Sequence, residues 1–175
     1  MAALPSRAAA GADLLFLRDE RLRFAQALMF LAQRDMAEAV APMLEEDGLG
    51  PAQYRVMQVL AFSPGIPVSR LQDILGVTKQ SLGRTLHELE ERQYIEIRRG
   101  SEDRRLRLLF LTAAGQDAEA RLFAVVRQRL MAAYREAGGA AVEGFGRVMR
   151  GMLSEHSRTV LADEGNIDAG RPHGA

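Results

Sequence analysis

The sequence predicts a mainly α-helical chain carrying one small two-stranded β ribbon. Three observations predict it. Apolar residues recur at alternating three- and four-residue steps near both ends of the chain, the 3.5-residue period of a seam between helices. A short helical stretch, a glycine turn and a second helical stretch follow one another between Ser69 and Arg92. Two short runs, Tyr94 to Arg98 and Arg105 to Leu111, then flank the turn-forming segment between Arg99 and Arg104.

The chain of 175 residues is one domain by length, and 47% hydrophobic with 26% charged residues excludes wholesale disorder. Without cysteine there are no disulfides, thiolate metal sites or thiol redox chemistry. Basic and acidic residues balance at 23 each, so a polyanionic partner must be met by a local patch. The apolar run Leu14 to Leu17 is shorter than a signal-peptide core, and no run approaches a membrane span. The expectation is a cytoplasmic protein with no membrane partner.

Residues 1–12 read as a flexible arm and 163–175 as a flexible tail. In the first helix, Leu22, Ala25, Met29, Ala32, Met36, Ala39 and Met43 form one seam, and Leu17, Phe24, Leu28 and Leu31 a second stripe beside it. Two apolar faces call for two partners, the chain's own domain and a second subunit; the alternative is one broad face in an ordinary bundle. Pro42 disfavours helix at Ala41, which predicts an end or kink there. Pro51 suits the first turn of the next helix, with Tyr54, Met57, Leu60 and Ala61 as its buried stripe. Ile66 to Val68 reads as a short extended piece, Ser69 to Leu75 as a short helix closed by Gly76, and Thr78 to Arg92 as a longer one. Beyond Thr112 helix returns, with Ala118, Leu122, Val125 and Val126 on one face. After Gly138-Gly139, Val142, Phe145, Met149, Met152 and His156 repeat the seam spacing. Leu22, Met29, Met36, Val142, Phe145, Met149 and Met152 are the candidate dimer contacts.

The stretch from Ser69 to Arg92 is a helix-turn-helix. In its second helix Leu82, Leu86 and Leu89 face inward, so Gln80, Arg84, His87 and Glu91 face out, with Ser81 at the margin. Thr78 is the N-cap and Lys79 stands at the positive helix start. Arginine forks onto guanine and glutamine onto adenine in a major groove, which makes this face a candidate base reader; alone, it equally describes a solvated helix face. The ribbon beside it changes the balance. Residues 98–107 hold five arginines against two acids, net +3 in a neutral chain, as suits a narrow minor groove. Arg99, Ser101, Asp103, Arg104 and Arg105 are its candidate contacts. Asp103 is expected to orient the Arg105 guanidinium from the same face of an extended hairpin. The competing reading is an edge hairpin whose charges prevent aggregation.

The segment from Asp103 through Arg105, Leu111 and Thr112 to Gly115 resembles the DxR-x5-LT-xx-G signature at the wing of the MarR family of bacterial transcriptional regulators. Val77 to Ser81 and Leu89 to Arg92 look like that family's recognition helix, and Gly48-Leu49 through Tyr54 to Leu60 like the helix before it. Thr78 to Arg84 and the lead-in Leu14 to Glu20 look most like its PetP-like subset. The resemblance implies a single domain over 13–162, with a winged helix-turn-helix at 51–112 and dimerisation helices at 13–47 and 113–162. It implies a homodimer that binds double-stranded, pseudo-palindromic operator DNA, most often a repressor, and a small aromatic or anionic effector. Two residues depart from the family's habit: Gln93 stands where a helix-ending glycine is usual, and Gly83 lies inside the recognition helix.

An enzyme is the rival class. His87, His156 and His173 lie on separate elements without metal-ligand spacing, and Gly144-Phe145-Gly146 fails the dinucleotide spacing. No cofactor, metal or catalytic residue is expected. The remaining alternative is a winged-helix module for protein contacts without DNA binding, to which Glu88, Glu90 and Glu91 lend weight by repelling phosphate.

Overall fold

The computed structural model describes residues 17–100, 103–155 and 157–158. Both terminal segments, Ser101 and His156 lie outside them. The elements are α1 (Asp19–Glu46), α2 (Pro51–Phe62), β1 (Ile66–Pro67), α3 (Val68–Leu75), α4 (Lys79–Glu91), β2 (Ile95–Arg99), β3 (Arg107–Leu111), α5 (Ala113–Ala137) and α6 (Gly139–Met152). The mainly helical architecture with a small wing is the one the sequence predicts. Two compact units divide the chain, one up to Ala41 and one from Pro42 onward.

In the first unit, the helical residues of α1 begin with Asp19 and Glu20, whose charges complement the helix N-terminus. Leu22, Phe24, Leu28, Met29, Phe30 and Leu31 are all exposed, half or more of their surface in several cases. Of the end or kink expected at Ala41 the end does not occur, since α1 passes through Pro42 to Glu46, and the boundary between the two units falls between Ala41 and Pro42. Proline removes one donor from the ladder, and the turns beyond it still close through Asp47 N–H to the Met43 carbonyl. The helix stops at Gly48, left-handed at φ +62°. There the N–H of Gly48 reaches Glu45 O at 3.0 Å and that of Leu49 reaches Leu44 O at 2.7 Å, a Schellman closure with Leu44 and Leu49 both buried.

In the second unit the core gathers Met57 and Leu60 of α2, Leu71 of α3, Leu89 of α4, Leu109 of β3 and Leu122 of α5, all fully buried. On α2 the buried stripe is Tyr54, Val56, Met57 and Leu60, and Ala61 is exposed. The small methyl of Ala61 lies outside a face that the larger Val56 fills. The sheet is three-stranded, not two-stranded, in the order β1-β3-β2 and antiparallel throughout. The extended pair Ile66-Pro67 adds the third strand against Leu109 and Leu108. Pro67 is tolerated because β1 is an edge. The return strand begins at Arg107 and not at Arg105, because the preceding residues form a turn. Gly138, at φ +78°, separates α5 from α6. On α6 Phe145, Val148, Met149 and Met152 are exposed, and Val142 is half-buried. Among the described residues no helix is long and apolar enough to cross a membrane, and no three His, Cys, Asp or Glu side chains group to hold a metal.

Candidate nucleic-acid interface

The helix-turn-helix is built by local chemistry. Gly76 caps α3 in the left-handed region at φ +61°, its N–H bonding Gln72 O. Two residues later the Thr78 hydroxyl accepts the Ser81 N–H at 3.2 Å and starts α4. Leu82, Leu86 and Leu89 are buried as their spacing requires, joined by Thr85, whose hydroxyl donates to the Ser81 carbonyl at 3.1 Å. Thr78, Lys79, Gln80, Ser81, Arg84 and His87 consequently share exposed positions on α4 and its cap.

Two of those side chains are tied down. Arg84 Nε donates to Glu88 Oε1 at 2.9 Å, and His87 Nε2 lies 3.3 Å from Glu91 Oε1. Glu88 also accepts from Gln53 Nε2 of α2 in a short contact, and Gln53 Oε1 accepts the Gly50 N–H at 3.0 Å. The Arg84 hydrogen bond, seconded by Gln53, holds the Glu88 carboxyl below its ordinary range. Glu88 is thus partnered by Arg84 and Glu91 lies beside His87, while Glu90 borders the arginine-lined concavity of the wing. The four-residue spacing of Arg84 and Glu88 was legible in the chain. Gln53, 35 residues away, carried no sequence signal.

The exit from α4 repeats the closure seen at Gly48. Gln93 N–H reaches Glu90 O and Tyr94 N–H reaches Leu89 O, both at 2.9 Å. Gln93 therefore occupies the left-handed position, at φ +59°, where glycine is favoured. Its carbonyl accepts from the Thr112 hydroxyl at 2.6 Å, which in turn accepts the Gly115 N–H at 3.0 Å, while Thr112 N–H donates to Tyr94 O at 3.0 Å. A Cβ on Gly115 would lie 1.9 Å from the Tyr94 carbonyl oxygen. The Leu-Thr-x-x-Gly end of the signature is thus a junction where helix exit, wing return and α5 start meet without room for a methyl group.

At the wing, Leu106 N–H donates to Asp103 O at 3.0 Å, closing a turn. Asp103 Oδ1 accepts the backbone N–H of Arg105 at 2.8 Å, as aspartate does at the first position of such a turn. The described contact of Asp103 is with the Arg105 backbone, not the guanidinium expected from an extended hairpin, because residues 103–106 turn. Gly100, buried, donates its N–H to Leu106 O, and a Cβ there would meet Asp103 O at 2.6 Å. Arg99 and Arg107 are directly paired across the ribbon, an unfavourable like-charge pairing. Arg98 lies 4.5 Å above the Phe110 ring and pairs with Glu96. Arg99, Arg104, Arg105 and Arg107 form no ion pair with a described residue. Arg98, Arg99, Arg104, Arg105 and Arg107 line one open concavity with Ile97 and with Glu90 of α4, so the arginines adjoin the recognition-helix end. Ser101 lies outside the described residues.

Residues 47–106 match the MarR family. The HTH-type transcriptional regulator PetP of Rhodobacter capsulatus is 40% identical over 148 residues, covering 85% of this chain and 89% of that protein. Among solved structures, a mutant MarR from E. coli complexed with operator DNA has a TM-score of 0.56 at 20% identity, covering 80% of this chain and 99% of that one. NadR in complex with 4-hydroxyphenylacetate has a TM-score of 0.62 at 21% identity, covering 69% and 86%. These structural likenesses show the shared fold. With the identity to PetP across most of both chains, they establish that this chain belongs to the MarR family of DNA-binding transcriptional regulators and is not an enzyme.

Proposed function

We propose that the chain acts in the cytoplasm as a homodimeric, PetP-like repressor that binds a pseudo-palindromic operator and is released by a small aromatic or anionic effector. The observation that carries the DNA reading is the arginine-lined concavity of the wing beside the outward face of α4. Gln80 and Arg84 read base edges in the major groove, Thr78, Lys79, Ser81 and His87 position the helix, Arg104 of the wing enters the adjacent minor groove, Arg105 lies against the DNA backbone, and Arg99, Ser101 and Asp103 are the remaining wing contacts. Helices over 13–47 and 113–162 supply the dimer through Leu22, Met29, Met36, Val142, Phe145, Met149 and Met152, and residues 51–112 contact DNA. Support for a dimer is the exposure of apolar side chains on α1 and α6, a pattern soluble monomers rarely keep. Support for the effector class is the aromatic carboxylate bound by the structurally similar NadR. Support for the PetP-like assignment is the extent of identity with that protein.

Selection of bound genomic fragments, followed by fluorescence titration at two salt concentrations, tests the proposal. The expected result is a two-fold-related sequence bound far more tightly than random DNA, with affinity falling steeply as salt rises. Equal binding to all sequences, or none, would overturn it.

A further inference from the structure

We infer that Glu88 is a positioning residue for base reading: braced by Gln53 of α2, it holds Arg84 by Nε and leaves the outer end of the guanidinium turned to solvent. The inference rests on the proposed reading of DNA by α4. The Arg84 side chain is 83% exposed yet donates Nε–H to Glu88 Oε1 at 2.9 Å, so it is held without being buried. Its Nη groups have no partner among the described residues, and these are the groups that fork onto guanine O6 and N7. Glu88 is itself fixed, because its second oxygen accepts from Gln53, whose own oxygen accepts the Gly50 N–H at the start of α2. The result is a relay from the backbone at the α2 start, through two side chains, to the arginine. A free arginine must be ordered when it meets a base; one already held by its inner nitrogen has less freedom to lose. An acid on a DNA-facing helix otherwise only repels phosphate, so its presence beneath Arg84 favours specificity over raw affinity.

The test measures affinity for the selected operator and for random DNA with the full-length protein, its variants Glu88→Ala, Glu88→Gln and Arg84→Ala, and the double variant Glu88→Ala/Arg84→Ala. Circular dichroism confirms that each is folded. Glu88→Ala is expected to lower operator affinity about threefold to tenfold and to reduce the operator-to-random ratio. Glu88→Gln is expected to keep part of that ratio, because its one amide oxygen can accept from Arg84 Nε or from Gln53 Nε2 but not from both. In the Arg84→Ala background the second change is expected to leave the ratio where it is. Tighter binding of both DNAs by Glu88→Ala and Glu88→Gln alike would overturn the inference and reduce the acid to local repulsion. An equal loss of ratio with and without Arg84 would overturn it as well, by showing a general disturbance of α4. An Arg84→Ala variant with undiminished discrimination would overturn this role while leaving DNA binding standing. A wild-type protein that selects no sequence would overturn both.

Discussion

Two residues show how backbone chemistry sets the recognition surface. Gln93 takes a left-handed conformation that costs an L-residue about 1–2 kcal/mol, against about 0.4–1 kcal/mol of unfolded-state freedom that glycine would add. Gln93→Gly is therefore expected to stabilise the protein by up to about 1 kcal/mol, raising the melting temperature by about 2–4 °C. A lower melting temperature would show that the Gln93 side chain contributes more than its backbone loses. Asp103 fixes the wing turn through the Arg105 N–H, and that bond needs only an oxygen acceptor at the same place. Asp103→Asn is expected to keep operator affinity or improve it slightly, as a negative charge leaves. Asp103→Ala is expected to weaken affinity although it removes the same charge, since the turn presenting Arg104 and Arg105 loses its acceptor. Titration of both variants at one salt concentration decides between a turn-forming acid and a merely repulsive one.

Among the elements, α4 and the wing make opposite demands. Gly83 sits on the exposed face of α4 with nothing within 4 Å of a would-be Cβ. Gly83→Ala is therefore expected to raise the stability of the free protein by about 1 kcal/mol in a thermal melt, as at any open helix interior. In the wing, Arg99 faces Arg107 with Arg104 and Arg105 nearby, so favourable pairing within the protein does not account for these arginines. Arg104→Ala and Arg105→Ala are each expected to weaken operator binding at least tenfold, about 1.4 kcal/mol, with helix content and melting temperature nearly unchanged. A loss of melting temperature in step with affinity would assign them to the fold instead. Much of this element scale was legible in the chain. The inward set Leu82, Leu86 and Leu89, the Thr78 cap and the arginine-rich ribbon follow from spacing and side-chain chemistry that act within a few residues. What escaped was long-range or set by the whole helix: the pairing of the extended Ile66-Pro67 as a third strand, the continuation of α1 past Pro42, and the Gln53–Glu88 contact. Proline statistics describe a local preference, and a cost of about 3 kcal/mol in a helix interior is outweighed here within a helix of 28 residues.

At the scale of the whole molecule, large apolar side chains reach solvent on α1 and, separately, on α6. Leu22 and Phe145 are each half exposed, and Met29 and Met149 also reach solvent in the single chain. Light scattering at micromolar concentration is expected to give a dimer mass. Met149→Glu is expected to shift the protein toward monomer and to weaken operator binding, because a charge in an apolar interface lacks a partner. A wild-type monomer with undiminished DNA affinity would remove the two-fold arrangement from the proposal.

The junction at Thr112 gives the second unit a mechanical property. Helix α5 starts there and runs about 37 Å at 1.5 Å per residue. Its first turn is pinned to Gln93 and Tyr94, the residues that close α4 and open the wing. With Gly115 pressed against the Tyr94 carbonyl, there is little slack at that end. The helix is thus held at one end, beside the close of α4 and the start of β2. A one-degree swing about Thr112 carries its far end roughly 0.6 Å, so a load applied there acts with a long arm on a stiff pivot. A rotation of α5 about Thr112 would therefore be felt first at Gln93 and Tyr94, where the wing begins.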